Sequence, residues 1–289
     1  GIKLEEEAIK SVGGALAFTS DITFSSSHLI NQHLPVFPKN VREYIADFSG
    51  QYSSSDVLSY LNGAKTLKVL ALGETIIDEY VYCETLGKSG KEPVLAVRQV
   101  DNERFAGGII AVANHVAAFC NKVGLLTALG PLDSHEEFVR EHLKSNVDTN
   151  FLYMDPSSPT IVKRRFVEVY PFQKLFEVYE MDDAPVSKKI ENKIFKYLSK
   201  NIKKYDLVIV NDYGHGLLTK KLREIICLKS KYLAVNVQIN AGNQGYNLVT
   251  KYKKAKYYSL DVEEARRAVN KKNLNPKNVP GDILKITGG

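Results

Sequence analysis

The sequence predicts an α/β protein whose mostly parallel sheet is covered by helices on both faces. Short apolar runs typical of buried strands alternate with stretches of helical periodicity from residue 65 onward, which is the chain order of parallel βα units. Apolar residues recur every four positions over 186–202, as on the buried face of a helix. Polar or acidic residues follow four of the apolar runs, and parallel sheets bind ligands at the carboxyl ends of their strands.

Composition and charge exclude several classes of protein. Of the 289 residues, 44% are hydrophobic and 25% are charged, which is ordinary for a globular protein. No apolar run approaches the ~20 residues of a membrane span. The net charge of +6 is mild, and the densest basic run, 251–256, fits a solvated face or attraction of an anionic substrate. Nucleic-acid binding would require a larger basic surface with interleaved aromatic residues, so we expect neither a membrane nor a nucleic acid as a partner.

The cysteines and the first residues bear on location. Cys83, Cys120 and Cys227 are far apart in the sequence and show no metal-ligand spacing, so we expect reduced thiols in a cytoplasmic protein. The first residues lack both the order of a signal peptide and an initiator methionine. We expect from this that the chain begins inside a longer polypeptide.

Residues 1–64 differ in pattern from the rest of the chain. Three serines in the segment 24–31 either cap a helix or form an anion site at its start. Residues 32–64 contain prolines and a serine-rich run, which are typical of a linker with short helices. The predicted helices and strand of this part span 5–14, 15–18, 41–48 and 56–61.

The larger domain begins with a strand that delivers an acid. The apolar run 68–73 ends in glycine, as a buried parallel strand does at an active-site edge, and Asp78 follows five residues later. Gly107 and Gly108 open a helix of small residues that ends near residue 120. A carboxylate and a glycine pair at a helix N-terminus predict a cradle for a polyhydroxyl or phosphorylated ligand, although Asp78 could also serve only as a helix or turn cap.

The remaining segments extend this first strand into a sheet. A small β-layer is predicted over 79–100, with turn signals at 87–90. Predicted strands span 123–129, 160–170, 174–179, 206–210, 232–236, 257–259 and 283–287. Predicted helices span 134–143, 186–202, 219–228 and 262–269.

Three later strand ends carry the other candidate site residues. Asp212 and His215 follow one apolar run, Asn236 ends another, and Asp261 and Glu264 follow a third. His215, between glycines, is either a turn residue or a substrate contact. Asp261 and Glu264 form a helix-capping pair, with or without a metal-linked role.

Three other polar or charged features of the sequence have simpler structural explanations. His115, on an apolar helix, is interpreted as a core or interface residue. Glu79, beside Asp78, is expected to be solvated. The basic cluster 163–165 is either a solvated face or part of a ligand site.

Five motifs in order resemble those of the ribokinase-like (PfkB) carbohydrate kinases. The resemblance covers 65–289 and is closest to the heptose-phosphate kinase domain of bifunctional kinase/nucleotidylyltransferases. It implies a three-layer αβα fold with a mostly parallel sheet and a small β lid, truncated at its C-terminus. The motifs lie at 73–78, 106–108, 159–165, 211–216 and 261–264.

The serine-rich segment 24–31 resembles the C-terminal end of the nucleotidylyltransferase superfamily. This resemblance implies that 1–31 is the remnant of a transferase domain and that 32–64 is a linker. Residues 65–289 would be a sugar kinase domain that is incomplete at its C-terminus. The expected full-length protein is a bifunctional nucleotidylyltransferase and ATP-dependent sugar kinase.

The kinase resemblance also implies roles for individual residues. A sugar or sugar phosphate would be the substrate, ATP and Mg²⁺ would be the cofactors, and the lid would form a homodimer interface. Glu264 would organise Mg²⁺, with water between the carboxylate and the metal. The implied substrate-binding residues are Asp78, Lys88, Gly107, Gly108, Lys163, Arg165, Asp212 and His215. The implied cofactor-binding residues are Asn236, Asp261, Glu264, Thr287 and Gly289.

The sequence also departs from the family pattern. Ala111 stands where the family has asparagine, His215 where it has lysine, and 236–238 where it has Asp-Pro-Lys. The G-A-G-D stretch that supplies the family's aspartate base is absent, so we expect no catalytic residue within the chain and no phosphate transfer by the chain alone. A non-catalytic carbohydrate- or nucleotide-binding module is the alternative hypothesis. A dehydrogenase is disfavoured because no G-x-G-x-x-G follows a strand.

Overall fold

The computed structural model describes residues 2–15, 37–243, 245–273 and 275–288. These residues form two compact units, Gly1–Ser59 and Tyr60–Gly289. The serine-rich segment 24–31, and all but the first residue of the strand predicted over 15–18, lie outside the described residues. Those two predictions and the transferase resemblance therefore remain predictions.

Three helices were expected before the larger domain, and the first unit contains two of them and the start of the third. Helix α1 spans Ile2–Ser11, α2 spans Lys39–Gln51, and α3 spans Ser54–Ala64 and runs across the division between the units. Neither α2 nor α3 has a buried residue. The predicted helices over 41–48 and 56–61 are thus confirmed with longer bounds, and that over 5–14 with earlier ends.

The second unit is built on a six-stranded parallel sheet. Its strand order is β10-β9-β8-β1-β4-β5, with all neighbours parallel. Every residue of β1 is buried, because helices cover both faces of the sheet. The strands are β1 (Val69–Gly73), β4 (Val123–Leu129), β5 (Val147–Met154), β8 (Leu207–Asp212), β9 (Leu233–Val237) and β10 (Tyr257–Ser259).

Two apolar cores on opposite faces hold the helices to this sheet. Along β1, Leu70 and Leu72 belong to one core, whereas Val69 and Ala71 belong to the other, as the alternation of a strand requires. The first core is completed by the helices after residue 187 and the second by the two helices before residue 142. These helices are α4 (Ile109–Val116), α5 (Glu136–Glu141), α6 (Lys188–Asn201), α7 (Lys220–Lys229), α8 (Val262–Ala268) and α9 (Val279–Thr287).

A second sheet of four strands forms the small β lid. Its order is β3-β2-β6-β7, with β2 antiparallel to β3, parallel to β6, and β6 antiparallel to β7. Strand β2 begins two residues after β1 ends, so the lid grows directly out of the carboxyl edge of the large sheet. The lid strands are β2 (Thr75–Lys88), β3 (Leu95–Gly108), β6 (Ile161–Glu168) and β7 (Gln173–Glu180). The predicted β-layer is confirmed.

Two expectations differ from the structure, and one strand was not predicted. The strand predicted over 283–287 is the end of helix α9, in which Ile283 and Thr287 are buried one turn apart and Gly288 ends the helix in the left-handed conformation. A short apolar run cannot by itself distinguish a strand from a helix. Strand β5 was not predicted, because its edge position leaves most of its residues only half-buried. His115 is exposed against Phe119, so its interpretation as a core residue is wrong and its interpretation as an interface residue stays a prediction.

The helices of the second unit are well terminated by their own sequence. The Ser187 hydroxyl accepts the Ile190 N–H at the start of α6, and Thr219 accepts the Leu222 N–H at the start of α7.

Across the parts of the chain that the structure describes, no helix combines the length and apolarity needed to cross a membrane.

Candidate active site

Six side chains share the inner face of the lid, which we call the lid face. They are brought together by register: Asp78 pairs with Lys163 and Tyr80 with Arg165 across β2 and β6, while Lys163 pairs with Tyr179 and Arg165 with Glu177 across β6 and β7. Because paired residues project to the same side of a sheet, these groups form one surface. The lid face consists of Asp78, Tyr80, Lys163, Arg165, Glu177 and Tyr179.

Asp78 and the glycine pair meet as the sequence predicted. A Cβ placed on Gly107 would lie 2.2 Å from Oδ2 of Asp78, so only glycine leaves room for this carboxylate. Gly108 has φ +57° and precedes α4, and the Ile109 N–H donates to the backbone oxygen of Glu74 at 2.9 Å. Asp78 lies inside β2 and caps no helix or turn, so the interpretation of Asp78 as only a cap is wrong.

Lys163 is a buried cation that has no direct partner. Its residue is 7% exposed, and within the described part of the chain its ammonium makes no hydrogen bond or ion pair. The Nζ atom lies 5.3 Å from the ring centroid of Tyr179 and 6.0 Å from that of Tyr213. Burial lowers the pKa of Lys163, against the opposing effect of Asp78. A buried, unpaired ammonium beside a carboxylate is arranged to meet an anionic group of a ligand.

Arg165, by contrast, is already paired with two carboxylates. Its guanidinium donates to Oδ1 of Asp78, and its Nε lies 3.3 Å from Oε1 of Glu177. The guanidinium also lies over the ring of Tyr80, 5.3 Å from the centroid. Arg165 therefore holds Asp78 in place, and its charge is balanced within the protein.

The neighbouring charges point to the other side of the lid, because side chains alternate along a strand. Glu79 has a side chain only 4% exposed, and it binds Arg164 and, at 3.0 Å, Nε of Arg104. Although burial raises the pKa of Glu79, hydrogen bonds from the two guanidinium groups leave it below its ordinary value. The expectation that Glu79 is solvated is wrong. The basic cluster is divided between the two faces.

Glu74 is a site residue that the sequence analysis missed. It follows β1 directly, is 3% exposed, and accepts the N–H groups of Tyr213 at 3.0 Å and His215 at 3.3 Å. Burial, followed by the nearby charge of Asp212, raises the pKa of Glu74 to about 8. Its position one residue after the glycine that ends a buried strand was the available signal. Glu74 thus links the first residue of α4, whose N–H its backbone oxygen accepts, to the loop after β8, whose N–H groups its carboxylate accepts.

Asp212 lies at the end of β8, and its carboxylate is already bound by donor groups of the protein itself. It is 1% exposed and binds Nζ of Lys251 at 2.7 Å, the hydroxyl of Tyr252 at 2.6 Å and the N–H of Gly214 at 2.9 Å. Asp212, Glu74 and Lys251 line a cleft of about 730 Å³ at this edge of the sheet. The structure thus makes Asp212 an anchor of the cleft wall, and its predicted contact with substrate stays a prediction.

His215 is buried in the same loop and held from both ring nitrogens. Its Nδ1 lies 2.7 Å from Oδ1 of Asp183, and its Nε2 lies 3.4 Å from the amide nitrogen of Asn240. Burial lowers the pKa of His215, although the hydrogen bond to Asp183 opposes this. These partners assign a neutral ring that donates from Nδ1 and accepts at Nε2.

The residues predicted to serve ATP and Mg²⁺ lie near the ends of β9 and β10. Asn236 donates to the backbone oxygen of Ser259 at 2.8 Å. Asp261 and Glu264 form a complete capping box at the start of α8, which confirms the capping interpretation. The Glu264 oxygens accept the N–H groups of Ile239 at 3.1 Å and Asp261 at 3.0 Å.

This donor set does not form a direct magnesium site. Mg²⁺ requires several oxygen ligands in octahedral geometry. In the described ranges no three His, Cys, Asp or Glu side chains cluster closely enough to hold a metal ion, and Glu264 already accepts a backbone N–H at each oxygen. A contact of Glu264 through water, as the sequence analysis expected, stays a prediction.

Lys88 and Thr287, two of the predicted site residues, are not among the residues of the lid face. Lys88 is exposed at the far end of β2, about 33 Å along the strand from Asp78 at ~3.3 Å per residue. The buried Thr287 hydroxyl donates to the backbone oxygen of Ile283 within α9 at 2.9 Å. Gly289 lies outside the described residues.

The geometry and the comparisons with solved structures define the class of fold. The chain has a ribokinase-like fold, in which a parallel sheet flanked by helices carries a β lid. It is similar to the structure of Arabidopsis thaliana ribokinase complexed with ribose and ATP, with a TM-score of 0.54, 12% identity, and coverage of 76% of this chain and 69% of that one. Thermotoga maritima ribokinase gives a TM-score of 0.53 at 14% identity, with coverage of 76% and 69%.

Comparison with curated protein sequences narrows the similarity further than the fold does. The chain is 26% identical over 212 residues to the bifunctional protein HldE of Trichlorobacter lovleyi, covering 73% of this chain and 42% of that protein. It is also 26% identical over 231 residues to HldE of Campylobacter jejuni, covering 80% and 47%. The chain thus spans less than half the length of these relatives. No protein-family model matches the chain.

Proposed function

We propose that the chain is the sugar-binding part of an ATP-dependent carbohydrate kinase, joined in the full-length protein to a nucleotidylyltransferase. The substrate would be a sugar or sugar phosphate of the heptose-phosphate type. The observation that carries this proposal is the lid face, where Asp78 lies against Gly107 and beside the buried, unpaired Lys163. Similarity to bifunctional HldE proteins supports the fusion and the heptose class.

The lid face has the chemistry for a polyhydroxyl ligand with one anionic group. The Asp78 carboxylate accepts hydrogen bonds from sugar hydroxyls, and Gly107 lets a sugar approach the backbone closely. Lys163 supplies a positive charge in a water-poor setting, where it interacts strongly with a phosphate. These residues bind and orient the sugar. Orientation and charge neutralisation provide most of the catalysis in phosphoryl transfer.

ATP would be the phosphoryl donor, by analogy with the Arabidopsis ribokinase whose structure was solved with ribose and ATP. When bound, MgATP supplies the γ-phosphoryl group for in-line transfer. Asn236, Asp261 and Glu264 are the residues of this chain that we propose on the nucleotide side, with Glu264 meeting Mg²⁺ through water. Because no aspartate base is identified in the chain, we propose that the 289-residue chain does not transfer phosphate alone.

Titration calorimetry of the chain against heptose, hexose and pentose sugars and their phosphates tests the sugar site. We expect saturable binding of at least one class, and weakening of this binding by Asp78→Asn. Asp101→Asn, an exposed substitution on β3 of the same lid, is the matched control and should bind as the unaltered chain does. Failure of every sugar and sugar phosphate to bind would refute the proposal.

A non-catalytic carbohydrate-binding module is the second candidate. It is favoured by one observation, namely that Asp212 is fully occupied by Lys251, Tyr252 and Gly214 and so has no obvious opening for a substrate. The full-length protein separates the candidates. ATP-dependent phosphorylation of the sugar that binds best supports the kinase, and binding without any phosphorylation supports the module.

We also propose a cytoplasmic homodimer formed through the lid. Two apolar side chains, Phe176 and Val178, are exposed on the outer face of β7, which is an edge strand with one unpaired side. Light scattering should give a dimeric mass, and Phe176→Asp should shift it toward the monomer. A monomeric mass for the full-length protein would rule out the dimer.

A further inference from the structure

The two cations of the lid face are in different electrostatic states. Within the described ranges Lys163 has no hydrogen-bond or ion-pair partner, whereas Arg165 binds both Asp78 and Glu177. The carboxylate of Glu177 is not needed to hold Asp78. Arg165 donates to Asp78 from Nη1, whereas a different nitrogen, Nε, faces Glu177. Glu177 therefore adds a negative charge to the lid face without contacting the proposed sugar cradle itself.

Glu177 is firmly held in this position. Its Oε1 lies 2.6 Å from Nζ of Lys174, and its other oxygen accepts the hydroxyl of Tyr179. Its side chain is 24% exposed, about as much as that of Asp78 at 26%. Burial raises the pKa of Glu177, but hydrogen bonds from Lys174 and Tyr179 outweigh this and hold it below its ordinary value. The carboxylate is thus ionised at neutral pH and directed at Arg165.

We propose that Glu177 is a specificity-determining residue that neutralises Arg165. The lid face is thereby limited to substrates with a single anionic group, which binds Lys163. This inference rests on the proposed sugar site. Within the lid face the two cations are matched by two carboxylates, and Lys174, which is half-exposed, adds a third cation from the solvent side that is already paired with Glu177. A second phosphate near Arg165 would therefore meet a guanidinium that two carboxylates already contact. A second anionic group near Arg165 would face Glu177 as a like charge, which disfavours the wrong ligand.

The outer face of the lid provides a matched control on the same strand. Glu180 pairs with Arg164 at 2.8 Å, and its side chain is 50% exposed on the face opposite to Glu177. Glu180→Gln removes the same charge from β7 without changing the lid face. Glu177→Asp keeps the charge of the lid face and shortens the side chain.

The test is titration calorimetry of the unaltered chain and of the variants Glu177→Gln, Glu177→Asp and Glu180→Gln with inorganic phosphate, glucose 6-phosphate and glucose 1,6-bisphosphate. In Glu177→Gln we expect affinity for the bisphosphate to rise about tenfold, equivalent to about 1.4 kcal/mol, and that for inorganic phosphate to rise about threefold. Glu180→Gln should bind as the unaltered chain does, and Glu177→Asp, which keeps the charge, should show much less of the gain than Glu177→Gln. Circular dichroism and thermal melting verify that each variant is folded.

The outcomes separate this inference from the proposed function. If Glu177→Gln changes neither the phosphate nor the bisphosphate affinity, or if Glu177→Asp or Glu180→Gln gives the same gain, the inference is refuted. Inorganic phosphate reports the charge effect without a sugar. If only inorganic phosphate binds, and binds more tightly in Glu177→Gln alone, the role of Glu177 is supported while the proposed sugar site is refuted.

Discussion

The two faces of the lid use the same residue types to different ends. On the outer face, Glu79 is enclosed by Arg104 and Arg164, and Arg164 is paired again with Glu180. On the lid face, Arg165 is paired in a similar way, but Lys163 is left buried without a carboxylate in contact. A closed ion-pair network is a feature of stability, whereas an unpaired buried cation is destabilising by itself and indicates a binding role.

Glu79→Gln should break the outer network and have the largest effect on folding. Removing the charge of a carboxylate that is only 4% exposed leaves two guanidinium groups poorly compensated, and we expect a loss of about 3 kcal/mol in the free energy of unfolding. Urea denaturation measures this loss. Sugar affinity should stay unchanged, and Glu180→Gln, a half-exposed partner, should lose less than about 0.5 kcal/mol. Equal losses for the two variants would contradict the contrast between them.

Lys163→Met, on the lid face, should weaken binding without lowering stability, which is the opposite of the effect expected for Glu79→Gln. We expect a loss of about 50-fold in affinity for a sugar phosphate, or about 2.3 kcal/mol, because a hydrogen bond to a charged group is removed. Affinity for the unphosphorylated sugar should change little. The melting temperature should be equal or higher, since a buried ammonium without a partner is replaced by an apolar side chain of similar length. A clear loss of stability would show that Lys163 is structural.

Glu74 extends the comparison to the carboxyl edge of the large sheet, where burial beside Asp212 raises its pKa to about 8 from 4.5. The folded chain therefore binds a proton that the unfolded chain has released between these pH values. This contribution to stability is full below pH 4.5 and is lost as the pH rises toward 8. In Glu74→Gln, which cannot ionise, the fall in the free energy of unfolding between pH 6 and pH 7.5 should be smaller by about 2 kcal/mol.

Urea denaturation of both proteins at the two pH values checks this prediction. A parallel pH dependence in the variant would show that Glu74 titrates normally. Asp56→Asn, which removes an exposed carboxylate of α3, is a control that should not alter the slope over this range.

Gly107→Ala should give the smallest effect, restricted to binding. The added methyl group would lie 2.2 Å from Oδ2 of Asp78, so the carboxylate must move while the fold is kept. We expect sugar affinity to fall about tenfold with little change in melting temperature. Gly90→Ala, at a position with open space around it, is the matched control. Unchanged binding in Gly107→Ala would separate Asp78 from the sugar site.

Local patterns carried much of the fold. Buried apolar runs predicted the six-stranded sheet apart from β5, and the four-residue stripe predicted α6. Capping residues such as Asp261 and Glu264 predicted the start of α8. These signals suffice because they depend on neighbours within one turn or one strand. The apolar run at 283–287 carries no local signal that distinguishes a strand from a helix, and in the structure it belongs to α9, which ends at Gly288.

The sequence by itself predicted a parallel α/β protein in which Asp78 and the glycine pair would form a ligand cradle, and it left the basic cluster open between a solvated face and a ligand site. Only the tertiary structure decided which cation is free. Lys163, Arg164 and Arg165 are adjacent in sequence, and their different states come from partners 12 to 87 residues away, through strand register and burial. Pairing between distant strands leaves no local pattern, which is why Glu74 and Glu177 became visible only once the lid and the sheet were in place.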